Sequence, residues 1–273
     1  MERVSGLQPL SAHVKGCDPD ASGHSRCETK RPPVKALILA AGEGTRLRPL
    51  TLERPKPMLP IGGIPLLGLL LRLLLRHGVR DIAINLHYKP EAVSAYFGDG
   101  ARWGVRLTYS YEEQILGTAG AVRRLQSFLD ERFLVLYGDV LTDLDLTALS
   151  AFHVARQAAL TAALYRVPRP WECGVVELDG EGRIRRFVEK PARAQVFSDL
   201  ANAGVYVMEP GLVGEIPPDT FYDFGRDLFP LLLERGAPIY GYPIGPADYL
   251  LDIGSPDKYE QAQRDWAEGR VIL

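Results

Sequence analysis

"LAAGEGTRLRPLTLERPKPMLPIGG", Leu39 to Gly63, follows directly on the apolar run "VKALI" and holds four glycines, four prolines and four basic side chains in 25 residues. An apolar run of that kind reads as a short buried strand, so the stretch lies at its carboxyl end, where an open α/β sheet binds its ligand. Gly42 and Gly44 let the backbone approach an anion, and Arg46 and Lys56 add charge-assisted contacts, which makes phosphate the anion that fits best. Two common phosphate loops do not match. A Walker A loop needs Gly-Lys-Ser/Thr where the chain has "GEGTRLRP", and a dinucleotide fingerprint needs a third glycine where Leu47 stands.

Outward from this loop, strand and helix signals alternate. "PLLGLLLRLLLRHG" reads as a helix ending at Gly78, "DIAINLHY" as a strand, and "PEAVSAYFGDG" as a short helix that opens on proline. "VRLTYSYE", "FLVLYGDV" and "LTAALYRV" continue the strands, with helical runs over Thr118 to Leu129 and Leu146 to Gln157 between them. The second half is less regular. "CGVVELDGEGRIRRFVEKP" reads as a hairpin turning at "DGEG"; "NAGVYVME", "PIYGYPI" and "DYLLDIG" read as strands, and "FGRDLFPLLLERG" as a helix. "SPDKYEQAQRDWAEG" closes the pattern as a helix with Ser255 at its N-cap and Tyr259, Ala262 and Trp266 near one face, where Trp266 suits a core position. The expectation is a Rossmann-like three-layer α/β/α fold, with a mixed, mainly parallel central sheet and one catalytic domain over residues 34–269.

Composition narrows the partners. The 273 residues are 46% hydrophobic and 24% charged, with a formal charge of -2, so nothing attracts nucleic acid or an anionic membrane in general and any cationic site is local. The most apolar segment, Pro65 to Gly78, is too short to span a bilayer and carries Arg72 and Arg76. Cys17, Cys27 and Cys173 form no disulfide framework, and no signal peptide is recognisable, which points to the cytoplasm. Residues 1–33 are polar, aperiodic and end in "KRPP", the composition of a disordered extension. His13, Cys17, His24 and Cys27 in that segment do not have the spacing of a zinc finger.

Taken whole, the opening stretch resembles the signature of the sugar-phosphate nucleotidyltransferases, or nucleoside-diphosphate-sugar pyrophosphorylases: G-x-G-T-R-x-x-P-x-T, then P-K-P and an apolar residue. Gly42, Gly44, Thr45, Arg46, Pro49 and Thr51 supply the first part, and Pro55, Lys56, Pro57 and Met58 the second. "LGTAGAV", "GDV", "FVEKP", "NAGVYV" and "LDIGSPDKY" follow in that family's order, so the resemblance runs from about Val34 to Trp266. It implies a reaction in which a sugar 1-phosphate attacks the α-phosphorus of a nucleoside triphosphate and pyrophosphate leaves. The nucleophile is already an anion. Such chemistry needs positioning and charge neutralisation rather than a general base.

The same resemblance assigns roles. Arg46 would bind the departing pyrophosphate and Lys56 the α-phosphate region, with Pro55 and Pro57 stiffening the loop. Lys56 reads as part of a polar loop, so its removal is expected to change stability little. Leu39, Ala40, Ala41, Gly42, Gly44 and Thr45, with Gly117, Thr118 and Gly120, would receive the nucleotide. Asp139 and Asp252 would bring two carboxylates to one Mg²⁺. Glu189 and Lys190 would bind the sugar and its phosphate, Gly174 would let backbone approach the sugar, and Asn202 would hydrogen-bond a hydroxyl.

Within the family, "CGVVELDGEGRIRRFVEKP" followed by "NAGVYV" and then "FYDFGRDLFP" looks most like the mannose-1-phosphate guanylyltransferase branch, and thymidylyltransferases usually carry Ser-Lys-Gln in place of Pro55, Lys56 and Pro57. GTP with mannose 1-phosphate is therefore the favoured pair, against UTP- or dTTP-dependent use of glucose, heptose or amino-sugar phosphates. Two further readings stand beside it: a cytidylyltransferase for a non-sugar phosphate such as phosphocholine, and a nucleotide-sugar sensor without turnover. "VEKP" and "NAGVYV" favour a sugar, and the presence of Arg46, Lys56, Asp139 and Asp252 favours an enzyme. No hexapeptide repeats follow the closing helix, so a second, acyl-transferring activity is not expected, whereas a homo-oligomer is compatible with the sequence.

Overall fold

The computed structural model describes residues 35–273; the expected extension over 1–33, with its His13, Cys17, His24 and Cys27, lies outside the described residues. Strands β1 (Lys35–Leu39), β4 (Asp81–Leu86), β5 (Arg106–Tyr111), β6 (Phe133–Tyr137), β8 (Leu160–Arg166), β11 (Leu200–Met208) and β12 (Ile239–Pro243) form the body of a nine-stranded sheet. Their order across it is β5-β4-β1-β6-β11-β8-β12. All run parallel except β11, which is antiparallel to both β6 and β8. The hairpin of β9 (Gly174–Leu178) and β10 (Ile184–Glu189) joins beside the first half of β11. The sheet is thus mixed and mainly parallel.

The apolar runs lack strand-type alternation because both sheet faces are covered. On β1, Ala36 and Ile38 pack into one core, with helices α2 (Leu66–Arg76), α3 (Pro90–Phe97) and α5 (Leu146–Ala155), while Leu37 packs into the other. That second core takes α4 (Gly117–Arg124) and α6 (Phe229–Glu234). Helix α4 ends before the Leu129 expected from the sequence, the chain continuing through i to i+3 bonds such as Leu125 to Val122 and Phe128 to Leu125. The segment over Phe224–Leu228 is a wider π-helical turn rather than α-helix, and α6 takes over at Phe229 with Pro230 in its first turn, where a missing N–H costs nothing.

A third, smaller core fastens the loop region to the end of the chain. After the turn that holds α1 (Leu50–Glu53), the short strands β2 (Pro60–Ile61) and β3 (Ile64–Pro65) are joined by Gly62 and Gly63, both at positive φ as a type I′ turn requires. Helix α7 (Pro256–Ala267) clamps this hairpin: the Tyr259 hydroxyl and the Gln263 amide donate to the Pro60 carbonyl at 2.7 and 2.6 Å, and Trp266 lies over Gly62. Trp266 packs as a core residue, as its place on the helix face implied. Ser255 occupies the N-cap position, but its side chain makes no capping hydrogen bond. Just before α7, strand β13 (Leu250–Asp252) pairs antiparallel with β7 (Val140–Thr142), so the clamp also fixes the strand that carries Asp252. Among the described residues no helix is long and apolar enough to cross a membrane.

A Cβ on Gly62 would sit 1.9 Å from Trp266 Nε1, whereas one on Gly63 meets nothing within 4 Å. Both substitutions carry the left-handed backbone cost of about 1 kcal/mol. Gly62→Ala is therefore expected to destabilise by about 2–4 kcal/mol and Gly63→Ala by about 1 kcal/mol in urea unfolding. Equal losses would show that the α7 clamp does not hold the hairpin.

Candidate active site

Leu39 ends β1 and Tyr137 ends the neighbouring β6, at the point where the chain, having built β4 and β5 on one side, returns to build on the other. This switch point opens a crevice beyond the carboxyl ends of the strands. Gly138 donates to the Leu39 carbonyl at 2.8 Å, and a Cβ on it would lie 2.7 Å from that oxygen, so only glycine lets the β6 end close against β1. Asp139 follows at once.

Lys56 is 8% exposed, which corrects the expectation that it belongs to a polar loop where its removal changes stability little. It opens a 3₁₀ turn over Lys56–Met58, between Pro55 and Pro57, and its Nζ donates to Asp139 Oδ2 at 2.5 Å. The same Nζ lies 3.8 Å from Asp252 Oδ1, and Lys258 on α7 reaches Asp252 Oδ2 at 3.1 Å. The β7–β13 ladder sets Asp252 opposite Val140, and the Ile253 N–H donates to the Asp139 carbonyl at 2.9 Å, so the two aspartates sit side by side. Removing the Lys56 ammonium would leave neighbouring carboxylates with one cation fewer, so its removal is not neutral for stability as the polar-loop reading implied.

Two adjoining cavities meet at Thr118, Tyr137, Asp139 and Asp223. The first, of about 340 Å³, is bounded by Leu39, Ala40, Ala41 and Gly42 on one side and by Gly117 and Thr118 on the other, with Lys56 and Asp139 at one end. The second, of about 250 Å³, takes Arg46, Asp252, Gly174, Glu189, Lys190 and Asn202. Arg46 approaches Asp252 across Gly254, where a Cβ would lie 3.0 Å from Arg46 Nη2 and 2.9 Å from Asp252 Oδ1. The fold thus brings most of the sequence-derived residues to one crevice.

Three of them are placed elsewhere. Gly44 and Thr45 lie outside both linings. Gly44 instead makes a left-handed turn at φ +66°, its carbonyl accepting from the Thr51 hydroxyl at 2.9 Å, which holds the loop in shape. Gly120 packs α4 against the segment before Asp223: a Cβ there would meet the Thr220 carbonyl oxygen at 2.8 Å. Gly117 has a similar constraint, with φ +76° and the Tyr222 carbonyl oxygen 2.5 Å from its Cβ position, although it also lines the first cavity.

In the second cavity, Glu189 lies over two glycines: its Oε2 is 2.7 Å from the Cβ position of Gly174 and 2.8 Å from that of Gly225. Burial pushes its carboxyl above the ordinary range; the nearby Asp223 adds to the rise, and Lys190 and Arg226 oppose it. Lys190 adopts a left-handed φ of +49°, its N–H donating to the Cys173 carbonyl at 3.0 Å. Asn202 stands where the β11 register shifts, with Nδ2 donating to the Tyr206 hydroxyl at 2.6 Å and Oδ1 accepting from the Gly204 N–H at 3.2 Å. Gly204 at φ +70° leaves room for the Tyr137 ring, 2.8 Å from its Cβ position. Tyr165 also lines this cavity, and burial pushes its phenol up.

Sequence reasoning missed several residues that build these walls. Asn85, 3% exposed, accepts from the Ala40 N–H at 2.7 Å and donates to Glu112 Oε1 at 2.9 Å; Glu112 Oε2 accepts from the Leu116 N–H at 3.0 Å. This network ties the two walls of the first cavity together. An asparagine inside the apolar strand "DIAINL" was the available signal, since a buried amide needs partners. Asp223 caps the π-helical turn through the Gly225 and Arg226 N–H groups and accepts from the Thr118 hydroxyl at 2.9 Å.

Residues 35–269 match the family model of the nucleotidyl transferases. The chain belongs to the nucleotidyl transferase family. A UTP–glucose-1-phosphate uridylyltransferase from Synechocystis is 41% identical over 246 residues, covering 85% of this chain and 63% of the relative. A mannose-1-phosphate guanylyltransferase from Mycobacterium tuberculosis is 39% identical over 238 residues, covering 86% and 65%. The chain therefore spans less than two thirds of the length of these curated relatives. Among solved structures, a Bacillus anthracis protein in complex with sucrose shares the fold at a TM-score of 0.77 and 24% identity, covering 88% of this chain and 96% of that one. HddC from Yersinia pseudotuberculosis, complexed with GMP-PN, aligns at a TM-score of 0.72 and 25% identity, covering 85% and 99%.

The environment of Glu189 has a consequence for this nucleotidyl transferase's stability. A raised folded-state pKa means that the native state holds a proton the unfolded chain has released, so stability falls as pH rises through the window from the ordinary glutamate value to the raised one. Glu189→Gln removes the buried charge. Its melting temperature is expected to exceed wild type at about pH 8 and to match it at about pH 4, where both forms are neutral. A lower melting temperature at about pH 8 would mean that the carboxylate is stabilised in place.

Proposed function

We propose that the chain is a sugar-1-phosphate nucleotidyltransferase, with the nucleoside triphosphate in the first cavity and the sugar 1-phosphate in the second. The observation that carries this reading is the cluster of Lys56, Asp139 and Asp252 near the junction of the two cavities, where both substrates would place phosphate. An oxygen of the sugar phosphate forms a new bond to the α-phosphorus, the bond from that phosphorus to the bridging oxygen breaks, and pyrophosphate leaves with the electron pair. No proton has to move. The protein's work is to hold two anions in line and neutralise the charge that shifts to the leaving group.

Lys56 suits the α-phosphate because its ammonium is fixed by the Asp139 contact and enclosed by the proline-flanked turn, so it is oriented before substrate arrives. Arg46 is exposed and lies on the rim of the second cavity near Asp252, where it can meet the departing pyrophosphate. Glu189 and Asn202 supply hydroxyl partners, and Lys190 a cation for the sugar phosphate.

Mg²⁺ fits the donor set. Asp252 Oδ1 is a buried carboxylate oxygen without a hydrogen-bond partner, next to Asp139, although among the described residues no group of three or more His, Cys, Asp or Glu gathers at this or any other place. Asp139 and Asp252 would hold the ion, a hard cation that takes few protein oxygens and completes its shell with water and phosphate. When bound it supplies charge neutralisation at the phosphates of both substrates.

GTP with mannose 1-phosphate is the first pair to test, given the Pro-Lys-Pro turn and the guanylyltransferase relatives. UTP with glucose 1-phosphate is the second reading, favoured by the uridylyltransferase at 41% identity. Pyrophosphate release is measured with the five common triphosphates against a panel of sugar 1-phosphates and phosphocholine. Release is expected only when a triphosphate and a sugar 1-phosphate are both present, and Lys56→Met is expected to lower turnover about a hundredfold, the scale for one preorganised charge donor. Nucleotide binding without release would favour the sensor. Near-wild-type turnover in Lys56→Met would remove that residue from the chemistry.

A further inference from the structure

The lining of the first cavity is both charged and apolar. Lys56 and Asp139 bring charge to its lining, and Ile115 and Phe221 bring apolar surface that is 38% and 57% exposed. Phe221 is among the most exposed large apolar side chains of the described residues, yet its backbone is firmly held. The adjacent Tyr222 donates through its N–H to the Leu116 carbonyl at 2.9 Å, and its own carbonyl accepts from the Ala119 and Gly120 N–H groups at 2.9 and 3.0 Å. Gly117 and Gly120 permit this contact, since a Cβ on either would collide with the backbone of Thr220 or Tyr222.

A folded chain gains nothing by fixing a large ring in water. Its surface becomes favourable only when something apolar covers it. Rigid support matters too, because a ring already ordered loses little entropy when a ligand packs on it. The cavity supplies both characters that select the ligand, a cation with a carboxylate and an exposed apolar surface. A nucleotide has the matching form, with charged phosphates at one end and a flat aromatic base at the other.

Resting on the nucleotidyltransferase reading, we propose that Phe221 is a nucleotide-positioning residue: its ring packs on the face of the nucleobase, with Ile115 closing the mouth beside it. Phe221 comes from the segment between β11 and the π-helical turn at Phe224. The glycines of "LGTAGAV" then serve the base indirectly as well, by admitting the backbone that presents this ring. Stacking on a ring face tolerates any base, so Phe221 contributes affinity and orientation, and the choice among bases falls to the hydrogen-bonding groups deeper in the cavity.

Equilibrium binding of GTP, UTP and inorganic tripolyphosphate to the full chain, with magnesium present, tests this for wild type, Phe221→Ala and Phe221→Tyr. Phe221→Ala is expected to weaken whichever nucleotide the wild type binds by about five- to a hundredfold, the range for one stacked aromatic ring. Tripolyphosphate, which has no base, is expected to bind both equally, and Phe221→Tyr to bind nucleotide within about twofold of wild type because its ring face is kept. Unchanged nucleotide affinity in Phe221→Ala, or an equal loss for tripolyphosphate, would overturn the assignment. If wild type binds no nucleotide at all, it is the nucleotidyltransferase reading that fails. An unfolding curve of Phe221→Ala that matches wild type would exclude loss of fold as the cause, as expected for a ring on the surface.

Discussion

The contact between Lys56 and Asp139, with Asp252 close beside it, is the constraint on which the rest of the site depends. Two carboxylates held near one another repel, and the repulsion grows as water is excluded. Lys56 offsets it from one side and Lys258 from the other. None of these charges could be kept so close by the loops alone. The β7–β13 ladder fixes the two aspartates, and the proline-flanked turn fixes the lysine, so the backbone bears the cost of gathering charge.

That arrangement explains why the fold has its particular accessories. The parallel sheet provides a crevice, and its strand ends supply Leu39, Asn85, Tyr137, the Gly138–Asp139 turn and Tyr165, but not the loop cation or the second carboxylate. The β2–β3 hairpin and α7 form a small separate core beneath the loop, and its role is to bring the end of the chain back against β7. The antiparallel β11, with its register shift at Asn202, interrupts the parallel pattern where the second cavity needs depth. Departures from a regular doubly wound sheet are thus concentrated around the crevice.

Much of this architecture was legible because it is written in local patterns. The buried strands are continuous apolar runs, the "DGEG" hairpin carries its turn chemistry openly, and the loop motif names its own residues. What was not legible depends on partners distant in the chain. Lys56 was legible as a phosphate-binding lysine in a polar loop, but its burial was not, because Asp139 lies 83 residues away and their contact exists only after the sheet has formed. Gly120 looked like part of a nucleotide loop, yet its missing Cβ serves the Thr220 carbonyl, about a hundred residues further along. The Asn85–Glu112 bridge and the Thr118–Asp223 hydrogen bond are likewise made between segments that no local window contains. Local chemistry shows which residues are unusual, whereas topology decides what each one touches.

The central claim is that Asp139 and Asp252 act as one cation site between two phosphate-bearing substrates. A magnesium titration of initial rate at saturating substrates, for wild type, Asp139→Asn, Asp252→Asn and the double variant, tests it most directly. Asparagine keeps the shape and removes the charge, so each single variant should need more magnesium for half-maximal rate and turn over more slowly at saturation. Because both carboxylates share one ion, the double variant should lose less than the sum of the single losses. Magnesium curves in both single variants that superimpose on wild type would contradict the account and leave only the cationic loop.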